Sequence, residues 1–190
     1  MTESIDFAGL DLLTDPGVVM TPRSASLALV ERALGHVGRE RRVVVDVGTG
    51  SGAIAVAIAR SAPQAAVWAT DVCAAAVALA RRNAARNGVA VRVRRGDLLD
   101  PVPGRIDAVV ANLPYLPYAE HKLHPDLDAE PRQAVYAPGD GLGPYRRLLA
   151  ACAGRLAPDG LVALQLRGEL VATTVAELGL LDVRFEELAA

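Results

Sequence analysis

Lysine, aromatic residues and cysteine are scarce in this sequence of 190 residues. Lys122 is its only lysine, so arginine supplies almost all of the positive charge, which we interpret as a coding bias of the source. Aromatic residues make up 4% of the chain, so the core has to be built mainly from Ala, Val and Leu. Because Cys73 and Cys152 lack a metal-binding spacing, we expect buried free thiols and a reducing compartment.

Long apolar runs and strong charge are also missing. No uninterrupted apolar run reaches the roughly 18 residues of a membrane span, and the N-terminus carries early acids instead of a basic-then-apolar signal. We therefore expect a cytoplasmic protein with no membrane partner. The net charge is −2, so we do not expect nucleic acid as a partner.

Apolar runs of strand length alternate with helical stretches along the chain. The pattern predicts strands at 43–47, 66–71, 89–95, 106–111, 161–166 and 181–188, and helices at 53–60, 73–87, 144–156 and 168–178. A first helix is predicted to open at Thr21-Pro22 and to end at Gly35 and Gly38. The segment 113–141 is predicted to be a functional loop or a lid.

This alternation predicts an α/β fold with a doubly wound, mostly parallel sheet in three α/β/α layers. We expect one domain over residues 1–190, in which 1–38 form an N-terminal segment and first helix and 39–190 form the core. Asp46, Asp71, Asp97 and Asn112 all fall at the carboxyl ends of predicted strands. They should therefore converge on one crevice, where such sheets bind ligands.

The turn Asp46-Val47-Gly48-Thr49-Gly50-Ser51-Gly52 is typical of a nucleotide-like cofactor site. With Ala53 it also satisfies the dinucleotide fingerprint, so a NAD-dependent oxidoreductase is an alternative. Asp46 would repel a pyrophosphate but suits the ammonium or sulfonium of S-adenosylmethionine, and Gly52 makes the turn tighter. Both details favour S-adenosylmethionine as the cofactor.

Two further acids are candidates for the same cofactor. Asp71 would accept the ribose hydroxyls, and Asp97 would accept a hydrogen bond from the adenine amino group. Each of these acids could instead be a helix N-cap. The full set of candidate cofactor-binding residues is Pro22, Arg23, Asp46, Gly48, Thr49, Gly50, Gly52, Asp71, Val72, Asp97, Leu98 and Asn112.

The candidate catalytic residues are Asn112, Pro114 and Tyr115, in the motif Asn-Leu-Pro-Tyr. Methyl transfer to nitrogen needs the nitrogen lone pair aimed at the sulfonium methyl. The Asn112 amide oxygen and a backbone carbonyl beside Pro114 could each accept one N–H of an amide and so orient it. Tyr115 could stack on a planar amide or base. The alternative is that the motif is merely a turn.

These two motifs, in this order and spacing, resemble class I S-adenosylmethionine-dependent N-methyltransferases. Three flanking elements resemble those of the release-factor glutamine methyltransferases (HemK/PrmC family). They are Val18 to Arg23, Glu130-Pro131-Arg132, and Asp140-Gly141-Leu142 with Tyr145-Arg146. The resemblance spans roughly residues 18–165. It implies a Rossmann-like core and methylation of the glutamine amide in a Gly-Gly-Gln loop, with Asn112 and Tyr115 binding that amide.

The chain departs from the family pattern in ways that keep other acceptors open. We do not expect the helical docking domain of the bacterial members in this sequence, and the short members that lack it act with a small accessory subunit. The Leu form of the motif also occurs in rRNA adenine dimethyltransferases, and Gln165 to Gly168 replace an acidic strand ending. We therefore expect a release-factor-like acceptor protein or a small molecule as partner, with an accessory subunit or homodimer as further hypotheses. One alternative is N-methylation of a small molecule or of adenine in RNA. Another is that the chain is a non-catalytic S-adenosylmethionine-binding subunit.

Two remaining groups of residues are interpreted without a role in the reaction. His121 and His124 flank Lys122, but no third ligand is placed, so we expect a solvated loop and no metal site. Arg92, Arg94 and Arg95 are interpreted as an arginine-rich edge strand that resists pairing.

Overall fold

A five-stranded parallel sheet forms the centre of the protein. The computed structural model describes residues 2–166. The strands of this sheet are β3 (Val43–Val47), β4 (Ala66–Asp71), β5 (Val91–Arg95), β6 (Ile106–Ala111) and β9 (Leu156–Leu164). Their order across the sheet is β5-β4-β3-β6-β9. All four neighbouring pairs are parallel, which confirms the doubly wound sheet. The arginine-rich strand β5 lies at an edge, as predicted.

Helices cover both faces of this sheet. They are α1 (Leu27–Val37), α2 (Ala53–Ser61), α3 (Ala74–Arg86) and α5 (Gly143–Cys152), with a single-turn α4 (Arg132–Val135). Side chains of α1, α2 and α3 share one apolar cluster with the sheet, and side chains of α5 share a second cluster on the opposite face. Within residues 2–166, no helix is long and apolar enough to cross a membrane.

The N-terminal segment contains a hairpin that periodicity did not predict. Strands β1 (Glu3–Phe7) and β2 (Leu10–Thr14) pair antiparallel, and Leu12 of β2 is fully buried in the cluster beside α1, α2 and α3. The hairpin therefore belongs to the folded core. A turn at residues 16–18 follows β2.

The predicted start of the first helix is wrong. A 3₁₀ turn (Ser24–Ser26) precedes α1, and Arg23 is extended at φ −117° and ψ 154°. Thr21 is not the N-cap, because the 3₁₀ turn begins after Arg23 and α1 begins after Ser26; its backbone N–H donates to Glu130 Oε2 at 2.9 Å. At the other end, Gly35 lies inside the helix and Gly38 caps it at φ +55°.

The segment 113–141, which we call the insertion, is folded rather than a simple loop. It contains β7 (Leu116–Pro117) paired in parallel with β8 (Tyr136–Ala137), besides α4 and two 3₁₀ turns, Tyr118–Leu123 and Pro125–Leu127. Leu116, Leu127, Val135 and Tyr136 form a small core of its own. The periodicity of the sequence did not reveal this local apolar cluster.

The last described strand also differs from the prediction. Helix α5 ends at Cys152 rather than 156, and β9 begins at Leu156 rather than 161, so residues 158–160 lie inside the strand. An irregularity in the pairing of β9 with β6, between Ile106 and Ala108, absorbs these residues. The predicted helix at 168–178 and strand at 181–188 lie outside the described residues.

Candidate functional site

The two motifs meet at the carboxyl edge of the sheet. The strand order reverses between β3 and β6, because the chain passes outward through β4 and β5 and then returns to β6. In such sheets the crevice beyond the strand ends at this reversal is the ligand site. The glycine turn follows β3, and Asn112 to Tyr115 follow β6.

The glycine turn is fixed by the neighbouring strand. The backbone N–H groups of Gly48 and Thr49 both donate to the Thr70 carbonyl of β4, at 2.9 and 3.0 Å. Gly48, Gly50 and Gly52 all have positive φ, at +69°, +55° and +84°. A Cβ at Gly48 would lie 2.5 Å from Leu113 Cδ2, so the turn and the Asn-Leu-Pro-Tyr motif pack directly against each other.

Asp46 lies within β3 and faces the turn rather than solvent. Its Oδ2 accepts hydrogen bonds from the Thr49 hydroxyl at 2.6 Å and from the Ala55 backbone N–H at 3.2 Å. Burial raises the pKa of this carboxyl to about 7, against the lowering effect of these two bonds. Its Oδ1 is buried without a hydrogen-bond partner among the described residues, and so is an acceptor at the base of the turn.

Asp71 ends β4 and braces two backbone segments. Its Oδ2 accepts from the Gly50 N–H at 3.0 Å, and its Oδ1 accepts from the Cys73 N–H at 2.8 Å. The first bond places the carboxylate beside the glycine turn. A carboxylate has about four lone-pair sites, so two remain for a ligand. Next to it, Val72 offers a 62% exposed apolar side chain.

Asp97 and Leu98 follow the edge strand β5. Asp97 forms an ion pair with Arg147 of α5, and both side chains are largely exposed. Leu98 has a positive φ of +44°, and its carbonyl accepts the Thr70 hydroxyl at 2.8 Å. Thr70 therefore links this turn to the glycine turn, since its own carbonyl holds Gly48 and Thr49.

Asn112 follows β6 directly and is half-buried. Its Nδ2 donates to the Ser26 hydroxyl at 3.4 Å, and that hydroxyl donates to Gln165 Oε1 at 3.1 Å. One residue on, the Leu113 N–H donates to the Tyr145 hydroxyl at 2.9 Å. Tyr145 is fully buried in α5, and burial raises the pKa of its phenol well above the ordinary value.

Pro114 and Tyr115 lie half-buried at the start of the insertion. Tyr115 packs against both the α5 cluster and the small core of the insertion. Gly141, at φ +83°, lies so close to the Tyr115 carbonyl that any Cβ there would collide with it. Gly141 therefore packs directly against the Asn-Leu-Pro-Tyr motif.

The segment that contains Pro22 and Arg23 contacts Glu130 of the insertion. Glu130 Oε2 accepts the Thr21 N–H, and its Oε1 lies 3.7 Å from an Arg23 nitrogen. The Glu130 side chain is 8% exposed and that of Arg23 is 44% exposed. The Thr-Pro-Arg and Glu-Pro-Arg elements are far apart in the sequence but contact each other in the structure.

Sequence reasoning missed three polar residues that hold the site together, namely Ser26, Asn83 and Gln165. Asn83 is fully buried, and its side chain bonds both backbone groups of Leu13 and the Ser51 carbonyl, at 2.7–2.8 Å. It ties β2 to the glycine turn. A signal was present, because Asn83 continues the stripe of buried positions formed by Ala76 and Ala80 on α3.

A family model described as the methyltransferase small domain matches residues 10–125. The chain belongs to this family. It is 42% identical over 171 residues to the release factor glutamine methyltransferase of Moorella thermoacetica, covering 87% of this chain and 60% of that protein. It is 38% identical over 180 residues to the protein of the same name from Deinococcus radiodurans, covering 94% and 64%. The chain thus spans about three fifths of the length of these relatives.

Solved structures extend the comparison to the fold. A methyltransferase from Pyrococcus furiosus superposes with a TM-score of 0.66 at 25% identity, covering 90% of this chain and 76% of that one. The catalytic domain of hMettl16 reaches a TM-score of 0.71 at 15% identity, covering 92% of this chain and 69% of that one. At this identity the similarity supports the fold only. The class I methyltransferase fold, expected from the sequence, is confirmed for this member of the methyltransferase small domain family.

Proposed function

We propose that this chain transfers a methyl group from S-adenosylmethionine to the side-chain amide nitrogen of a glutamine in a release-factor-like protein. The observation that carries the proposal is the packing of Leu113 against Gly48. It sets the amide-binding motif directly beside the glycine turn, so that an acceptor and a methyl donor could lie in contact. The relatives named release factor glutamine methyltransferase support the choice of acceptor.

The glycine turn has the chemistry that S-adenosylmethionine needs. Gly48, Thr49, Gly50 and Gly52 would border the amino-acid part of the cofactor, and the buried Asp46 carboxyl lies beneath them as an acceptor for its ammonium. Asp71 has lone pairs left for the ribose hydroxyls. We assign Val72, Leu98 and Asp97 to the adenine, and Pro22 and Arg23 to the rim of the crevice. The cofactor supplies an electrophilic sulfonium methyl, and this chain's residues do the positioning.

Asn112 and its neighbours would orient the acceptor amide. The Asn112 Oδ1 accepts one N–H of the glutamine amide. The Leu113 carbonyl, which precedes Pro114, shares the single Tyr145 proton with the Gln165 carbonyl and accepts the other N–H with its remaining lone pair. With both N–H groups held, the nitrogen presents its lone pair to the methyl, which is a gain from positioning. Tyr115 would stack on the planar amide.

Radiolabelled methyl transfer to a purified bacterial release factor tests the acceptor. We expect label in the wild-type release factor and none in a variant whose Gly-Gly-Gln glutamine is replaced by glutamate, which has no amide nitrogen. In a cell extract, label only in RNA or in small molecules would replace the glutamine amide with another acceptor. Cofactor binding without any transfer would indicate a non-catalytic subunit.

Two substitutions separate the proposed roles. Asn112→Ala should abolish transfer and leave the dissociation constant of S-adenosylmethionine nearly unchanged, because Asn112 acts on the acceptor. Asp71→Ala should instead weaken cofactor binding. Full transfer by Asn112→Ala would contradict the orientation of the amide, and unchanged affinity in Asp71→Ala would reject the ribose contact.

Docking of the acceptor protein is the remaining part of the proposal. We propose that the chain acts in the cytoplasm as one domain, with a small accessory subunit or a second copy of the chain helping to hold the release factor. Sedimentation of the chain alone and with release factor tests this. A monomer that binds and methylates the release factor unaided would remove the need for either partner.

A further inference from the structure

We propose that Ser26 is a positioning residue that fixes which end of the Asn112 amide faces the crevice. The proposal rests on the proposed transfer to an amide. Ser26 lies at the N-cap of α1 and is 5% exposed. A serine at this position commonly caps the helix with its hydroxyl. Here it makes no capping bond and joins Asn112 to Gln165 instead.

The single proton of the Ser26 hydroxyl sets the direction of this contact. That proton is donated to Gln165 Oε1 at 3.1 Å, so only lone pairs of the Ser26 oxygen face Asn112. A lone pair can accept from the amide nitrogen but cannot bond to the amide oxygen. The Asn112 nitrogen is therefore held toward Ser26 at 3.4 Å, and its oxygen is turned the other way.

Gln165 is itself firmly held by its backbone. Its N–H donates to the Ala111 carbonyl at 3.0 Å, and its carbonyl accepts the Tyr145 hydroxyl at 2.7 Å. Ala111 is the residue before Asn112. The backbone of Gln165 is therefore fixed beside the strand end that carries Asn112.

The direction of the Asn112 amide matters because the acceptor is also an amide. With its oxygen toward the crevice, Asn112 accepts an N–H of the acceptor and helps to aim the nitrogen lone pair. With its nitrogen there, two N–H groups would face each other and the acceptor would be turned away. Losing the Ser26 contact removes the free energy of about one hydrogen bond, which favours the productive orientation of the Asn112 amide. We therefore expect about a tenfold fall in kcat.

Steady-state kinetics of three variants test this role. Ser26→Ala should lower kcat about tenfold at an unchanged KM for S-adenosylmethionine. Ser26→Thr, which keeps the hydroxyl, should retain most of the activity. Ser24→Ala is the matched control, since Ser24 is an exposed residue of the same 3₁₀ turn and should behave as wild type. A wild-type kcat for Ser26→Ala, or an equal loss in Ser24→Ala, would overturn the proposal.

A measurement without catalysis separates this inference from the proposed function. In ¹⁵N spectra of the free protein, hydrogen exchange of the Asn112 side-chain amide should be slowed in wild type and Ser24→Ala, and faster in Ser26→Ala. If exchange responds this way and no acceptor is methylated, the proposed function fails and the orienting contact stands. If exchange is the same in all three proteins, the orienting contact is wrong whether or not the protein transfers methyl groups.

Discussion

At the scale of single residues, Asp46 shows how burial changes what a motif residue does. The sequence predicts an acid that faces a cationic cofactor. The structure adds that Asp46 is 1% exposed and that its Oδ1 has no hydrogen-bond partner among the described residues. Desolvation disfavours its charged form, which is why the pKa of Asp46 rises from 3.8 to about 7. The motif thus carries an acid that costs stability when it ionises.

Asp46 should make the free energy of unfolding fall as the pH rises from about 4 to about 7. Because the folded protein keeps this proton up to the raised pKa and the unfolded chain loses it near 3.8, the unfolded state binds fewer protons in this window. The loss is up to about 4 kcal/mol if the full shift applies. Urea unfolding between pH 4 and pH 7 should show the fall in wild type and a smaller one in Asp46→Asn. Parallel curves for both proteins would contradict it.

Gly48→Ala should strain the backbone and force Leu113 out of place. The Cβ would lie 2.5 Å from Leu113 Cδ2, at a φ of +69° that side chains rarely adopt. We expect at least tenfold weaker binding of S-adenosylmethionine by calorimetry. Gly104→Ala is the matched control: its φ is +74°, but nothing lies within 4 Å of the added Cβ. It should lose about 1 kcal/mol of stability and bind the cofactor normally.

At the scale of elements, the hairpin β1–β2 is joined to the cofactor turn by a single side chain. Asn83 of α3 satisfies both backbone groups of Leu13 in β2 and the carbonyl of Ser51 in the turn. Beside it, Val19 packs against α3, and its Cβ would be 3.7 Å from one placed on Gly50. The N-terminal segment therefore supports the glycine turn from outside the sheet.

Asn83→Ala should lower stability by about 3 kcal/mol, because it leaves buried backbone groups without partners. Asn87→Ala removes an amide from the residue that caps the same helix, where its bonds lie nearer solvent, and should cost about 1 kcal/mol. Urea unfolding of both variants measures the contrast. If the two variants lose equal stability, Asn83 does not join the hairpin to the turn.

At the scale of the whole molecule, the insertion is attached to the N-terminal segment through Glu130. Its carboxylate accepts a hydrogen bond from the Thr21 N–H and lies near Arg23, which precedes Glu130 by 107 positions in the sequence. The insertion and the N-terminal segment should therefore loosen together.

Glu130→Ala should speed cleavage of the insertion by a lysine-specific protease. Lys122 is the only lysine in the chain and is exposed in the turn Tyr118–Leu123, so one cut reports on this segment alone. Glu130→Gln keeps an acceptor for Thr21 and should lie between Glu130→Ala and wild type. Asp126→Ala, in an exposed turn of the same segment, is the control and should not change the rate. Equal cleavage of Glu130→Ala and wild type would show that Glu130 does not hold the insertion.

The sequence by itself determined the parallel sheet and the position of the two motifs. Strand and helix periodicity is local, and the carboxyl ends of parallel strands share one edge, so Asp71 and Asn112 could be placed there without coordinates. Only the tertiary structure decided that Leu113 packs on Gly48, that Ser26 meets Gln165, and that the insertion has its own core. These contacts join residues tens of positions apart, and such pairs leave no period in a sequence because packing geometry alone brings them together.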